Sequence, residues 1–385
     1  MAVIRPFCAV RPAVEYADKV AALPYDVYNR AEAKKEVERE PLSFLAIDRA
    51  ETQFEDSVSV YAPEVYAKAK ELFEERISQG IFVEDKQSAY YIYQLEMNGR
   101  TQTGIAACAS VDDYLDGTIK KHENTREGKE QDRIRHVDTL SAQTGPIFLA
   151  YRSQATINQL VSKIMETQEP LYDFTAADGI AHRMWKVTEE AVTTLQEAFA
   201  GIQEIYIADG HHRAASAVKV GLKRRKEHPD YDGTEEFNYF LSVLFPDDQL
   251  MIMDYNRCVK DLHGLTKEAF LKAVEECFDV TVLDGAKHPQ AKGQITMYLE
   301  NRWYLLQAKQ ELLAITDPVA ALDVSLLQEY LLKPVLGIED PRTDERIDFI
   351  GGIRGLEELE RRVKTDMTVA FAMYPTSIGE LFAVA

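Results

Sequence analysis

The stretch from Ile205 to Leu222 constrains the fold more than any other part of the chain. Ile205, Tyr206, Ile207 and Ala208 form an apolar run that reads as a buried strand, while Ala214, Ala215, Ala217, Val218 and Leu222 read as one face of a helix. Between them stands Asp209-Gly210-His211-His212-Arg213. A strand that turns into a helix across a single glycine gathers a carboxylate, two imidazoles and a guanidinium around one helix N-terminus. That terminus has free N–H groups and the positive end of the macrodipole, so it suits a phosphate. Arg213 can grip phosphate oxygens through its planar fork. Asp209 can hold a magnesium ion or accept a hydroxyl proton. A polar helix cap with surface histidines would use the same residue types; the tight strand-glycine-helix setting favours the functional reading.

At 385 residues the chain is too long for one small core, so two domains or one elaborated α/β domain are expected. A net charge of −20 disfavours nucleic acid as a partner, because that affinity comes mainly from Lys and Arg neutralising phosphates. Cys8, Cys108, Cys258 and Cys277 are far apart, without metal spacing, and read as reduced core thiols. No charged-then-apolar leader opens the chain and no apolar run approaches membrane-spanning length, so a cytoplasmic location is expected.

Along the chain the expected elements are a strand over Val3 to Cys8 and an irregular loop at Leu23-Pro24-Tyr25-Asp26. Helices follow over Ala31 to Glu38 and Pro63 to Gln79. Runs from Ala89 to Met97 and Thr101 to Ala109 flank Asn98-Gly99, the strongest short hairpin signal available. Strands are expected at Ile147 to Tyr151, Met184 to Val187, Ile205 to Ala208 and Phe240 to Phe245, the last turning through Pro246-Asp247-Asp248 into Leu250 to Met253. Beyond Arg257 the pattern changes: a helix over Thr266 to Cys277 capped by Thr266, then a hairpin from Ile295 to Leu306 around Asn301-Arg302. A helix over Val324 to Leu332, a strand over Thr368 to Met373 and a final helix complete an α+β unit. These elements predict an α+β or mixed α/β chain with a mixed sheet and domains of 1–255 and 256–385. The apolar ending Leu381 to Ala385 suggests truncation.

A second constellation runs from Lys120 to His136, a locally basic window in an acidic chain. Glu127, Glu130 and Asp132 alternate with Arg126, Lys129, Arg133 and Arg135 at helical spacings, which favours a salt-bridged surface helix for the distal charges. The proximal Lys121-His122-Glu123 follows the loop-like Tyr114-Leu115-Asp116-Gly117, where a site residue could be presented. Glu123 can act as general base towards a hydroxyl if its pKa is raised or its lone pair aligned. Thr125 serves equally as a helix cap. Tyr25-Asp26 reads as a pocket wall or an ordinary turn, and Arg257 as a cation near the site or, preferably, half of a structural salt bridge. Neither a Walker motif nor Gly-x-Gly-x-x-Gly is present, which disfavours a P-loop or Rossmann nucleotide site.

Taken with the Lys-x-His-Glu segment, Asp209 to Arg213 make the chain resemble the ParB/sulfiredoxin-like free-serine kinases. It resembles more closely still a longer bacterial and archaeal relative catalogued as a domain of unknown function. Leu23-Pro24-Tyr25-Asp26-Val27, His122-Glu123, Tyr206 to Arg213, Asn256-Arg257 and Ala370 to Thr376 carry that resemblance, in the family's order. It implies a ParB/sulfiredoxin-like mixed-sheet core with an inserted subdomain, since the gap between Glu123 and Asp209 is longer than in the compact kinases, and a smaller C-terminal α+β domain. It also implies transfer of phosphate from a nucleotide, ADP or ATP, to free L-serine with Mg2+. In that reading Glu123, His122 and Asp209 are catalytic, and Gly210, His211, His212 and Arg213 hold the nucleotide phosphates. Lys121, Thr125, Asp26 and Arg257 bind substrate, Asp209 binds the metal, and a homodimer stays open. A Pro-Lys-Ser-Thr-like tail that ends the family is absent after Ala385.

Phosphoryl transfer needs charge neutralisation and in-line positioning rather than covalent machinery. The expected function is therefore a small-molecule phosphotransferase, run towards serine or in reverse on O-phosphoserine. A nucleotide hydrolase and a nucleotide-gated ParB-like binding module are the alternatives.

Overall fold

The computed structural model describes residues 1–122, 127–187 and 189–384. The chain divides into two compact units, Met1–Leu250 and Met251–Ala385.

In the first unit the strands are β1 Ile4–Arg5, β2 Val10–Pro12, β3 Phe82–Glu84, β4 Tyr91–Met97, β5 Arg100–Ser110, β6 Ile119–Lys120, β7 Ile147–Tyr151, β8 Tyr172–Thr175, β9 Ala181–Lys186, β10 Ile205–Asp209 and β11 Tyr239–Pro246. Its helices are α1 Ala17–Val20, α2 Arg30–Arg39, α3 Leu45–Asp48, α4 Pro63–Ser78, α5 Val111–Asp116, α6 Glu127–Leu140, α7 Ala155–Thr167, α8 Glu189–Ala200 and α9 His211–Glu227. Nine of the strands make one mixed sheet in the order β6-β10-β7-β11-β5-β4-β9-β8, with β1 added against β5. The β6–β10 and β7–β11 pairs are parallel and the others antiparallel.

Side-chain alternation assigns the two sheet faces. On β7, Ile147, Leu149 and Tyr151 enter the main core, which also receives Ile157, Val161 and Ile164 of α7, Leu195 and Phe199 of α8, and Ala214, Ala217 and Val218 of α9. Phe148 and Phe245 lie on the opposite face with Tyr91 and Ala106. Each large side chain so buried contributes roughly 1.5–3 kcal/mol. A separate helical layer of α3, α4 and α6 closes over Ile47, Val65, Ala69 and Leu140. The Asn98-Gly99 hairpin forms as its composition demands: both residues have positive φ (53° and 76°), and Met97 pairs with Arg100 across a two-residue turn.

The second unit is α+β. Strands β12 Tyr255–Val259, β13 Phe278–Leu283, β14 Gln294–Leu299, β15 Arg302–Ala308, β16 Ile347–Gly351 and β17 Val369–Met373 form an antiparallel sheet in the order β13-β15-β14-β17-β12-β16. With them go α10 Lys267–Val274, α11 Gln310–Leu313, α12 Asp323–Leu327, α13 Gly355–Thr365 and α14 Ile378–Val384. Thr266 caps α10, its hydroxyl accepting from the Ala269 N–H.

Several expectations are corrected. The strand expected over Val3 to Cys8 covers only Ile4–Arg5. Tyr114 to Asp116 belong to α5, closed by Gly117 at φ +85°, rather than to a loop. Leu250 to Met253 form no strand, because Asp247–Gln249 make a single helical turn after β11 and pairing resumes only at Tyr255. The second hairpin turns at Glu300-Asn301, one residue early, since those two take the positive φ. Between α6 and β10, strands β7, β8 and β9 join the main sheet. Cys8 is exposed, whereas Cys108 and Cys258 are buried. Among the described residues no helix is long and apolar enough to cross a membrane.

Candidate functional site

The Asp209 to Arg213 turn is built by the end of β10. A register shift between Ile207 and Asp209 bulges the strand, whose pairing with β7 ends at Asp209 opposite Phe148. Gly210 then adopts φ +93°, a left-handed conformation that favours glycine. It starts the 17-residue helix α9 without a side-chain cap. The first N–H groups of α9 therefore keep their capacity for an anion.

Arg213 folds back over this turn. Its Nη2 donates to Asp209 Oδ2 and its Nη1 to the Pro146 carbonyl, each at 2.5 Å. The arginine side chain runs between two glycines. A Cβ on Gly210 would stand 3.0 Å from Arg213 Nε, and one on Gly145 would stand 3.3 Å from Arg213 Cδ. Asp209 stays 71 % exposed at its side chain while Arg213 is 19 % exposed, so the pair leaves a carboxylate in solvent beside a fixed cation.

Strand β6 runs parallel to β10, pairing Ile119 with Ile205 and Lys120 with Tyr206. The chain leaving β6 therefore emerges beside the start of α9, at the carboxyl ends of adjacent parallel strands, where open α/β sheets bind ligands. His122 is brought against His211, edge to face, with ring centroids 4.4 Å apart. His211 is buried, and desolvation followed by the charges of His122 and His212 depresses its pKa to about 4, so its imidazole is neutral at pH 7. His212 has a buried Nδ1 with no hydrogen-bond partner among the described residues. Lys121 turns its ammonium over the Tyr114 ring, 4.1 Å from the centroid. Glu123 and Thr125 lie outside the described residues.

Helix α6 is where the sequence reading fails most. It is salt-bridged as expected but not solvated all round: Glu130, Arg133 and His136 are 4 %, 7 % and 3 % exposed. At intervals of three residues they share one inward face. Glu130 receives Lys219 of α9, Arg133 pairs with Asp132 at 2.7 Å, and His136 Nε2 is 3.2 Å from the Ile47 carbonyl oxygen. Lys223 and Arg224 of α9 both reach Asp138, completing the tie between the helices.

Arg133 and His136 line two cavities. The larger, about 250 Å³, lies among Tyr25, Asp26, Asp48, Arg49, Arg133 and His136. The smaller, about 30 Å³, lies among Thr144, Gly145 and Arg213, with Tyr25, Asp48, Arg133 and His136 lining it too. Asp26 is thereby placed at a pocket wall. Tyr25 stacks under Arg133, the guanidinium carbon 4.1 Å from the ring centroid. Arg257 belongs to the second unit. Its guanidinium lies over Tyr255 and Phe349, 5.4 and 5.0 Å from their centroids, and burial lowers its pKa to about 10. It makes no ion pair among the described residues, so the expected salt bridge is replaced by aromatic packing. Its cavity, about 430 Å³, includes Asp317 and Gln328.

The residues present suit magnesium only as a companion of phosphate. Asp209 offers one exposed carboxylate, and no group of three or more His, Cys, Asp or Glu side chains that could hold a metal occurs among the described residues. Magnesium is commonly held by one or two carboxylates with the substrate's phosphates completing its shell.

One family model matches residues 4–325, most of the chain. The chain belongs to the DUF1015 family. That family is described as a protein of unknown function. No curated protein and no solved structure matches this DUF1015 chain.

Proposed function

We propose that this DUF1015 protein is a small-molecule phosphotransferase that moves a phosphoryl group between a nucleotide, ADP or ATP, and free L-serine with magnesium. One observation carries the reading: the parallel β6–β10 pair delivers Lys121-His122 to the uncapped start of α9, where Arg213 is already fixed. Phosphate oxygens would take the first N–H groups of α9 and the outer edge of Arg213. Asp209 would hold the magnesium that travels with the nucleotide. His211, held neutral, can donate or accept without adding charge, and His212 stands next to it at the same helix start. Glu123, next in sequence to His122, is the assigned base for the acceptor hydroxyl. The resemblance to the ParB/sulfiredoxin-like free-serine kinases supports the same roles, and a fold related to theirs belongs to this proposal.

The test is product analysis. Protein incubated with labelled ADP or ATP, Mg2+ and L-serine should yield O-phosphoserine. Nucleotide cleavage without a new phosphoester would replace the reading by hydrolysis, and absence of both would end it.

A further inference from the structure

We infer that the 250 Å³ cavity, which shares Tyr25, Asp48, Arg133 and His136 with the smaller hollow at Arg213, is the acceptor pocket, and that it recognises an amine-bearing molecule through Asp26, Asp48 and Nδ1 of His136. The word acceptor rests on the phosphotransferase reading; the pocket and its preference rest on the geometry below.

His136 carries the first argument. Its ring is buried, and Nε2 faces the Ile47 carbonyl oxygen at 3.2 Å. A carbonyl only accepts, so Nε2 holds the ring proton and Nδ1 is a bare lone pair. Burial, followed by the neighbouring charge of Arg133, pushes the imidazole pKa down and keeps the ring neutral. That Nδ1 is buried and has no partner among the described residues, although His136 lines both cavities. Buried polar atoms are rarely left so. A guest with an N–H or O–H donor would complete it.

Charge supplies the second argument. The cavity is lined by the carboxylates of Asp26, Asp48, Glu51 and Asp132 against the guanidinium groups of Arg49 and Arg133. Both cations are committed: Arg49 to Glu51 at 2.5 Å and to the carbonyls of Tyr25 and Tyr28, Arg133 to Asp132 at 2.7 Å. Asp26 has no ion-pair partner among the described residues. Asp48 accepts from the Thr144 hydroxyl at 2.7 Å and lies 3.9 Å from Arg133. The surplus is negative, which suits an ammonium group and opposes a second phosphate. Tyr28, Tyr61 and Tyr66 add aromatic walls for a short carbon skeleton. The volume lies near the lower end of small-molecule pockets, roughly 300 Å³, and so suits a metabolite of a few heavy atoms. Tyr25, Asp48, Arg133 and His136 line both this cavity and the smaller one that Arg213 borders, so the two hollows share a wall across which the guest's hydroxyl would face the phosphate.

The experiment is calorimetric titration of the whole chain, without nucleotide, using 2-aminoethanol, L-serine and glycolate, which lacks the amine. Asp26→Asn and His136→Gln are titrated in parallel, with thermal unfolding as the folding check; Asp26 is exposed, so its variant keeps the test alive if His136→Gln unfolds. The two amines should bind, glycolate at least tenfold more weakly, and Asp26→Asn should weaken amine binding at least tenfold while ADP binding is unchanged. Equal binding of glycolate, no binding of either amine, or an Asp26→Asn affinity equal to wild type would overturn the inference. Amine binding without any phosphoryl transfer retires the phosphotransferase reading and leaves the pocket; serine phosphorylation indifferent to Asp26→Asn retires the pocket and leaves that reading.

Discussion

Gly210 leaves the space that Arg213 occupies: a methyl group at Gly210 would stand 3.0 Å from Arg213 Nε. Gly210→Ala would meet that contact and the strain of φ +93° together. The strain alone costs about 1–2 kcal/mol for an L residue. Gly80, at φ +73° with no atom within 4 Å of where its methyl would stand, isolates that strain. Urea denaturation should show Gly210→Ala destabilised more than Gly80→Ala, and only the former should lose nucleotide affinity.

Arg213→Lys keeps the charge but loses the fork that simultaneously holds Asp209 and the Pro146 carbonyl. A charge-assisted hydrogen bond contributes about 1.5–3 kcal/mol, so ADP binding should weaken by roughly ten- to a hundredfold. Calorimetry with ADP and Mg2+ reads this directly. Unchanged affinity would separate Arg213 from phosphate.

Glu123→Gln addresses the assigned base. Nucleotide binding should be retained while phosphoryl transfer falls by about 10²–10⁴-fold, the ordinary worth of general base catalysis. Single-turnover measurement at saturating serine distinguishes this from weakened binding.

Stability of the first unit should fall as pH drops from 6.5 towards 4. His136, His182 and His211 all have pKa values lowered chiefly by burial, His211 to about 4. Between that value and the ordinary 6.5 the unfolded chain binds more protons than the folded one, so acid favours unfolding in this window. Asp323 in the second unit, raised to about 6 by burial, acts in the opposite sense. The discriminating measurement is therefore a difference: His211→Gln should flatten the pH dependence of the urea midpoint relative to wild type.

The strand-glycine-helix junction and the Asn98-Gly99 hairpin were legible because each is decided within a few neighbouring residues. The β6–β10 pairing was not, since Ile119 and Ile205 meet only through the sheet and no local pattern marks a two-residue strand. The inward face of α6 was misread for a related reason. Charged residues at helical spacing normally face water, and Arg133 and His136 are buried only because Asp48 and Ile47 arrive from a distant segment to receive them. The available signal was that Val137 and Leu140 continue the same side of α6 as Arg133, so an apolar stripe and charged residues overlap there. Gly145, which admits the shaft of Arg213, carried no mark in sequence.

One rod serves two duties: α6 clamps α9 through Glu130 and Asp138, and between those two points Arg133 and His136 wall the 250 Å³ cavity. A single-residue deletion between Glu130 and Arg133 would turn the following face by about 100° and uncouple both at once. The turn over residues 25–28 reaches both cavities as well, because Tyr25 lines each of them and lies under Arg133. Rewriting that short turn would therefore reshape both hollows together, while the Lys219–Glu130 contact that joins the two helices would be left standing.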